Sequence, residues 1–265
     1  MVQTVRLAVR ILVKAFPQPS KKHEETVCCA GVTEDGRQML RLFPIRFRRL
    51  PKDRQFDRFD LVELLATKAN DPRPESYRVD EGSIRLIETS TLTDEAKVRL
   101  WQPFIAPSLK ALHEENRTTG RSLGIVRPDP DSVKFFHKPA QDADTEDRKV
   151  AEAVQQVQQS SFLEEPLKPL EKAEYAFGYR FRSNGHPHNH IIHDWEVQAA
   201  YRHYKQRYGT TALDQIAHEY GENIPKRNLH FLMGTMASHM RTFIIIGLLR
   251  SSLDPYELAR QQKLF

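Results

Sequence analysis

Apolar residues recur at every second position in Val5, Leu7, Val9, Ile11 and Val13, with Arg6, Arg10 and Lys14 between them. A period of two is that of a strand with one buried face, so the chain is expected to open in β-structure. Thr26 to Val32 and Gln38 to Ile45 flank Asp35-Gly36, a dipeptide that tolerates the positive φ of a tight hairpin turn. Asp60 to Thr67, Ser76 to Val79 and Ile84 to Glu88 add short extended runs. Residues 1–92 therefore predict a small OB-like β-barrel of five or six strands.

From Thr93 the spacing changes to that of helices. Thr93 caps a segment through Trp101, and Ser108 caps another that runs through Asn116 and stops at Gly120. Short strands are expected at Ser122 to Val126 and Val133 to His137. Residues 139–172 are acidic and Gln-rich, with a helix expected over 144–159 and Pro166 and Pro169 beyond it, so 93–172 reads as a helical segment and connector.

In residues 173–265 the pattern returns to two. Tyr175, Phe177, Tyr179 and Phe181 alternate with Ala176, Gly178, Arg180 and Arg182, which places aromatics on one face of a strand and charge on the other. Asp194 is placed to cap a helix ending at Gly209. Thr211 with Asp214 resembles a capping box for a second helix that Gly221 ends. Leu229 to Met236 and Thr242 to Leu249 read as strands, and Asp254-Pro255 opens a final helix. The whole is an α+β protein in which the barrel is followed by an α+β region with a short mixed or antiparallel sheet.

Composition changes this picture little. Of 265 residues, 39% are hydrophobic and 28% charged, the balance of a chain that folds. Net charge is +5, a mild tilt towards polyanionic partners. The two cysteines, Cys28 and Cys29, are adjacent and would point to opposite faces of a strand, which excludes a disulfide scaffold. Arg6, Arg10 and Lys14 interrupt the first apolar stretch and no cleavage pattern follows it. The longest uncharged apolar run, Phe243 to Leu249, suits a strand rather than a membrane span. A cytoplasmic protein without a membrane partner is expected.

Chemistry concentrates at residues 186–196, His-Pro-His-Asn-His-Ile-Ile-His-Asp-Trp-Glu. In an extended segment His186, His188 and His190 share one side at intervals of roughly 6.5–7 Å, within chelating reach. With His193 they form a candidate ligand set for one divalent metal, zinc, iron or manganese. Asp194 is then a ligand or its orienting partner, and Glu196 the general base for a metal-bound water. His230 and His239 are further candidates. The same residues also fit a solvated polar loop, with Asp194 and Glu196 complementing a helix N-terminus. The order matches no sharper metal pattern, no Cys-x-x-Cys accompanies it, and no Walker or Rossmann glycine motif suggests a nucleotide cofactor. Trp195 reads as a core anchor. Tyr201, Tyr204 and Tyr208 form a helical stripe, with Arg202 and Lys205 offering a phosphate-facing surface beside it.

A second concentration is basic and aromatic: Arg41, Phe43, Arg46, Phe47, Arg48, Arg49, Lys52 and Arg54. Guanidiniums contact phosphates and phenyl rings stack on bases, the pairing that single-strand binders use on small barrels. Asp53, Asp57 and Asp60 nearby allow the opposite outcome, internal ion pairs. Here Glu25-Thr26-Val27-Cys28-Cys29-Ala30-Gly31 and Arg41-Leu42-Phe43-Pro44-Ile45-Arg46-Phe47-Arg48 resemble an N-terminal module of uncharacterised bacterial proteins. That module is similar to the dual OB-fold-containing domains of mobile-element and phage-defence loci. The resemblance covers about residues 5–90 and implies an OB-like barrel that contacts nucleic acid, DNA or RNA. It transfers no activity to the C-terminal half. Three functions are expected from these features. They are a nucleic-acid-binding protein with a metal-assisted phosphodiester-cleaving site, a non-catalytic nucleic-acid-binding or adaptor module, and a base-acting enzyme such as a glycosylase using Asp194 or Glu196 without metal.

Overall fold

The computed structural model describes residues 3–20, 24–140, 173–256 and 258; the helix expected over 144–159 and Pro166 and Pro169 lie outside them. Five strands close the barrel: β1 (Thr4–Lys14), β3 (Glu24–Thr33), β4 (Met39–Ile45), β6 (Ser76–Glu88) and β5 (Leu61–Lys68), with β5 and β3 both paired to β1. The short β2 (Gln18–Ser20) adds to the edge of β3. All barrel pairings are antiparallel except β4 with β6. Without β2 the order is first-second-third-fifth-fourth, returning to the first, the Greek-key connectivity of an OB-type barrel. Val9, Ile11, Val27, Cys29, Leu40, Leu42, Val62, Leu64 and Ile84 fill it. Gly31 permits the closure, because a Cβ there would stand 2.4 Å from the Arg10 carbonyl oxygen on β1.

The runs Ser76–Val79 and Ile84–Glu88, separate in the sequence pattern, belong to the one strand β6. Asp80 to Ser83 form a bulged corner inside it: the Leu65 N–H donates to Ser83 Oγ, which donates to the Asp80 carbonyl, and the Gly82 N–H donates to the Asp80 carboxylate.

Residues beyond 93 supply two further sheets. One is mixed, in the order β13 (His239–Leu249), β12 (His230–Met236), β8 (Leu123–Val126), β7 (Ile105–Ala106), with β7 parallel to β8. The other is antiparallel, in the order β11 (His186–Ile191), β10 (Tyr175–Ser183), β9 (Lys134–Pro139). The segment between the barrel and the last hundred residues thus supplies strands to both. Among the described residues four α-helices join them: α1 (Asp94–Trp101), α2 (Leu109–Thr119), α3 (Trp195–Tyr208) and α4 (Ala212–His218). Thr93, Ser108 and Asp194 accept the cap hydrogen bonds of α1, α2 and α3, and Gly120 ends α2 at φ 77°. Asp254 accepts the Tyr256 N–H at 2.8 Å to open the last turn.

Two local expectations fail. The Thr211 side chain caps nothing on α4 and donates instead to the Tyr208 carbonyl. Gly221 does not stop the helix, which continues through a π turn over Glu219–Asn223. That turn is held from outside: the Tyr179 hydroxyl donates to the Tyr220 carbonyl at 2.6 Å, and Gly221 lies against Phe135.

Side-chain alternation makes the mixed sheet the middle layer. Leu123, Ile125, Leu232, Ile246 and Leu249 face the outer surface of the barrel, packing on Leu12, Val13, Ala30, Val32 and Met39 with Val98 and Trp101 of α1. Phe231, Met233, Phe243 and Ile245 face the other way, onto Phe177, Tyr179 and Phe181 of β10 and Val197, Tyr201, Ala212 and Ile216 of the helices. The expected aromatic face of β10 is this buried one. Gly247 lets the layers approach, since a Cβ there would meet Val13 at 2.7 Å.

Candidate functional site

The histidine run is the second strand of a hairpin. Ser183 pairs with His186, and Asn184 and Gly185 make the two-residue turn at φ 51° and 79°, their N–H groups held by the Asp129 carboxylate at 2.8 Å each. Pro187 is accommodated because β11 is an edge strand. His186, His188 and His190 lie opposite Ser183, Phe181 and Tyr179, hence on the core-facing side. His186 is exposed at the turn. His188 and His190 lie over the Phe181 ring with their own centroids 6.0 Å apart, and the His188 Nε2 is buried without a partner.

A third imidazole, His113 of α2, joins this pair. It is edge-on to Phe243, and it acts on both His188 and His190 electrostatically. Burial pushes His190 down to about 4, with His188 and His113 adding to the effect. His188 is lowered by burial first and then by His113 and His186. His113 escaped the sequence reading because a lone histidine on an amphipathic helix carries no local signal.

The other members of the expected ligand set are elsewhere in role. His193 belongs to a strap between the barrel and the mixed sheet: its N–H donates to the Ile245 carbonyl and its carbonyl accepts from the Phe16 N–H. Burial alone lowers its imidazole. Asp194 is 1% exposed; its carboxylate accepts the Glu196 N–H at 2.9 Å and the Leu248 N–H at 3.3 Å. Burial pushes it up to about 7 against the opposing pull of Arg58. Glu196 accepts from the Arg58 guanidinium at 2.7 Å. Among the described residues, no group of three or more His, Cys, Asp or Glu side chains is arranged to hold a metal ion. His230 is fully buried, bonded through Nδ1 to the Asn228 carbonyl and packed on Trp101, while His239 is exposed beside Ser238.

Arg58 is the residue on which this region turns. From the loop before β5 it donates to the Leu12 carbonyl, the Leu248 carbonyl and Glu196, so one buried guanidinium joins barrel, mixed sheet and α3. Trp195 completes the seam as a core anchor. It packs edge-on to Phe47 at 5.5 Å, beside Lys14, whose ammonium stands over the Phe47 ring.

Much of the basic-aromatic segment is used in the same way. Arg41 is 5% exposed and donates to the Ser122 carbonyl and hydroxyl across the seam, and Phe47 is in the barrel core. Arg46 pairs with Glu81, and Arg48 pairs with Glu25 at 2.8 Å. Arg54 donates to the Gly82 carbonyl. Arg49 is half-buried, Lys52 is exposed, and Phe43 is 45% exposed on the outer face of β4. On α3, Lys205 pairs with Glu174, and Arg202 stands over the Phe16 ring.

The outer face of the antiparallel sheet has a different character. Cross-strand register places Lys134, Phe136 and Lys138 of β9, Ala176, Gly178, Arg180 and Arg182 of β10, and Pro187, Asn189 and Ile191 of β11 on this one side. Lys134, Lys138, Arg180 and Arg182 are exposed, and among the described residues none of the four has an ion-pair partner. No acidic residue occurs at these ten positions. Phe136 lies across Gly178, where a Cβ would come within 2.3 Å of its ring, and the Arg180 guanidinium stands 5.2 Å from the ring centroid. The charged face of β10 was legible in the sequence; that β9 extends it with two lysines and a phenylalanine was not.

No helix among the described residues is long and apolar enough to cross a membrane. A domain of unknown function, DUF8758, matches residues 5–103, the barrel and α1, and a second, DUF8757, matches residues 106–265. No curated protein matches. A solved structure described as "Molecular basis for abrogation of activation of pro-inflammatory cytokines" is similar with a TM-score of 0.32 and 9% identity, over 72% of this chain and 77% of that one. That likeness is too loose to bear on fold or function. Since the second family spans well over half of its length, the chain belongs to the DUF8757 family of proteins of unknown function.

Proposed function

We propose that this protein is a nucleic-acid-binding module that works by binding rather than by cleavage. The observation that carries this reading is the outer face of the β9–β10–β11 sheet, where four exposed cations share one side with an aromatic ring and, among the described residues, no acid pairs with them. Cations gathered on one face without an acid among the described residues attract a polyanion, whereas the arginines of the barrel segment are largely committed to internal partners. The metal-assisted cleavage expected from the sequence would need His188, His190 and His193 to converge with Asp194 and Glu196. Asp194 and Glu196 instead hold the seam through Leu248 and Arg58, which favours the binding reading.

The test is the salt dependence of affinity for DNA and RNA oligonucleotides, with Lys134, Lys138, Arg180 and Arg182 all changed to alanine as the comparison. Each phosphate contact adds about 0.7–0.9 to the slope of log affinity against log salt, so the variant is expected to lose about 3 from the slope. Wild-type protein that binds no oligonucleotide at low salt, or a variant with an unchanged slope, contradicts the proposal.

A further inference from the structure

Resting on that reading, we infer that the same face selects single strands, and that Phe136 and Arg180 form a stacking site for an unpaired base. Four cations alone would track any phosphate backbone. What distinguishes this face is the apolar strip through its middle: Phe136 on β9, Gly178 and Ala176 on β10, and Ile191 on β11. Gly178 is what lays the ring down. Any side chain at that position would collide with Phe136, so the phenyl group crosses the sheet instead of standing clear of it.

The Arg180 guanidinium stands 5.2 Å from the ring centroid, which puts a second planar group on the same face. Arg180 also sits opposite Lys134 on one side and the exposed Asn189 on the other. Asn189 offers both a donor and an acceptor to a base edge. A flat platform of phenyl and guanidinium flanked by cations is what unpaired bases use, since every base has a π-face and splayed strands bring phosphates alongside. Paired bases in a duplex keep their faces inside the stack. They gain the phosphate contacts of this surface and not the platform.

The experiment compares single-stranded DNA, single-stranded RNA and duplex DNA of equal length against wild-type protein and the Phe136→Ala, Phe136→Leu and Arg180→Lys variants. Urea unfolding of each variant checks that it is folded. Wild type is expected to prefer single strands. Phe136→Ala should bind them about ten- to a hundredfold more weakly while its duplex affinity and salt slope stay as in wild type. Phe136→Leu, which keeps apolar bulk and is the safeguard should alanine loosen the sheet, is expected to show most of that loss. Arg180→Lys keeps the charge and loses the plane, so it too should lower single-strand affinity alone.

Equal affinity for single and double strands, or Phe136 variants that bind single strands as wild type does, would overturn the stacking site and leave phosphate binding standing. If heparin or poly-glutamate binds as tightly as the oligonucleotides, the face is an unspecific anion surface and the inference fails. Absence of binding to every oligonucleotide overturns the functional reading as well.

Discussion

Replacing Arg58 by alanine is expected to destabilise the protein by about 2–5 kcal/mol, because two carbonyl acceptors between the layers lose their donor at about 1–3 kcal/mol each. For a chain of this length that is a fall in Tm of about 10 °C. The guanidinium is 13% exposed and bonds to three layers, so its loss strands the Leu12 and Leu248 carbonyls and unpairs Glu196. It also removes the one charge that lowers Asp194. Glu196 is 43% exposed and recovers water when unpaired, so the double variant Arg58→Ala, Glu196→Ala should be only slightly more stable than the sum of the two single losses predicts. Urea unfolding of the single and double variants decides this. An Arg58→Ala protein within 1 kcal/mol of wild type would show that the seam does not depend on this residue.

The second large effect is with pH. His190 and His230 are both held down to about 4 by burial, and His113, His188 and His193 are lowered as well. An imidazole whose folded pKa lies below its unfolded value of 6.5 binds more protons when unfolded in the window between the two. Its contribution is therefore complete above pH 6.5 and is lost as pH falls towards about 4. For His230 alone the interval corresponds to about 3 kcal/mol. Asp194 acts in the opposite sense. Its folded pKa is raised to about 7, so its contribution is complete below 3.8 and is lost as pH rises through 7. Five imidazoles outweigh one carboxyl group, and stability should fall between pH 6.5 and 4.5. Urea midpoints across that range should show the fall, with His230→Phe giving a shallower one. A midpoint that is constant or rises on acidification contradicts the neutral burial of these histidines.

The fold was legible wherever local pattern and tertiary packing agree. Alternation located β1 and β10, apolar runs located β12 and β13, and the caps at Thr93, Ser108 and Asp194 are formed as their residue types suggest. Where a distant contact decided, local signals failed. Gly221 is a helix stop by propensity, yet Tyr179 and Phe135 hold the chain in a π turn through it. Asn184-Gly185, a turn signal between alternating aromatics and alternating histidines, was present in the sequence but not read as one, and only the strand pairing makes the His-rich run the second strand of a hairpin.

The candidate site was harder to read because residue type does not reveal which face of a strand is covered. The same alternation that puts His188 and His190 on one side turns them towards Phe181 and the core. In the arginine-rich barrel segment the decisive partners, Glu25, Glu81 and Ser122, lie 23, 35 and 81 residues from the arginines they engage. Conversely, Lys134, Phe136 and Lys138 are unremarkable in sequence. They become a surface only when β9 aligns them with Arg180 and Arg182.

The central claim is the location of the nucleic-acid contact, and ultraviolet cross-linking followed by mass spectrometry locates it directly. With a single-stranded oligonucleotide bound to the intact protein, adducts are expected on peptides containing Phe136 and on those spanning residues 175–191. Adducts confined to residues 41–58 of the barrel, with none on the β9–β10–β11 sheet, would contradict it.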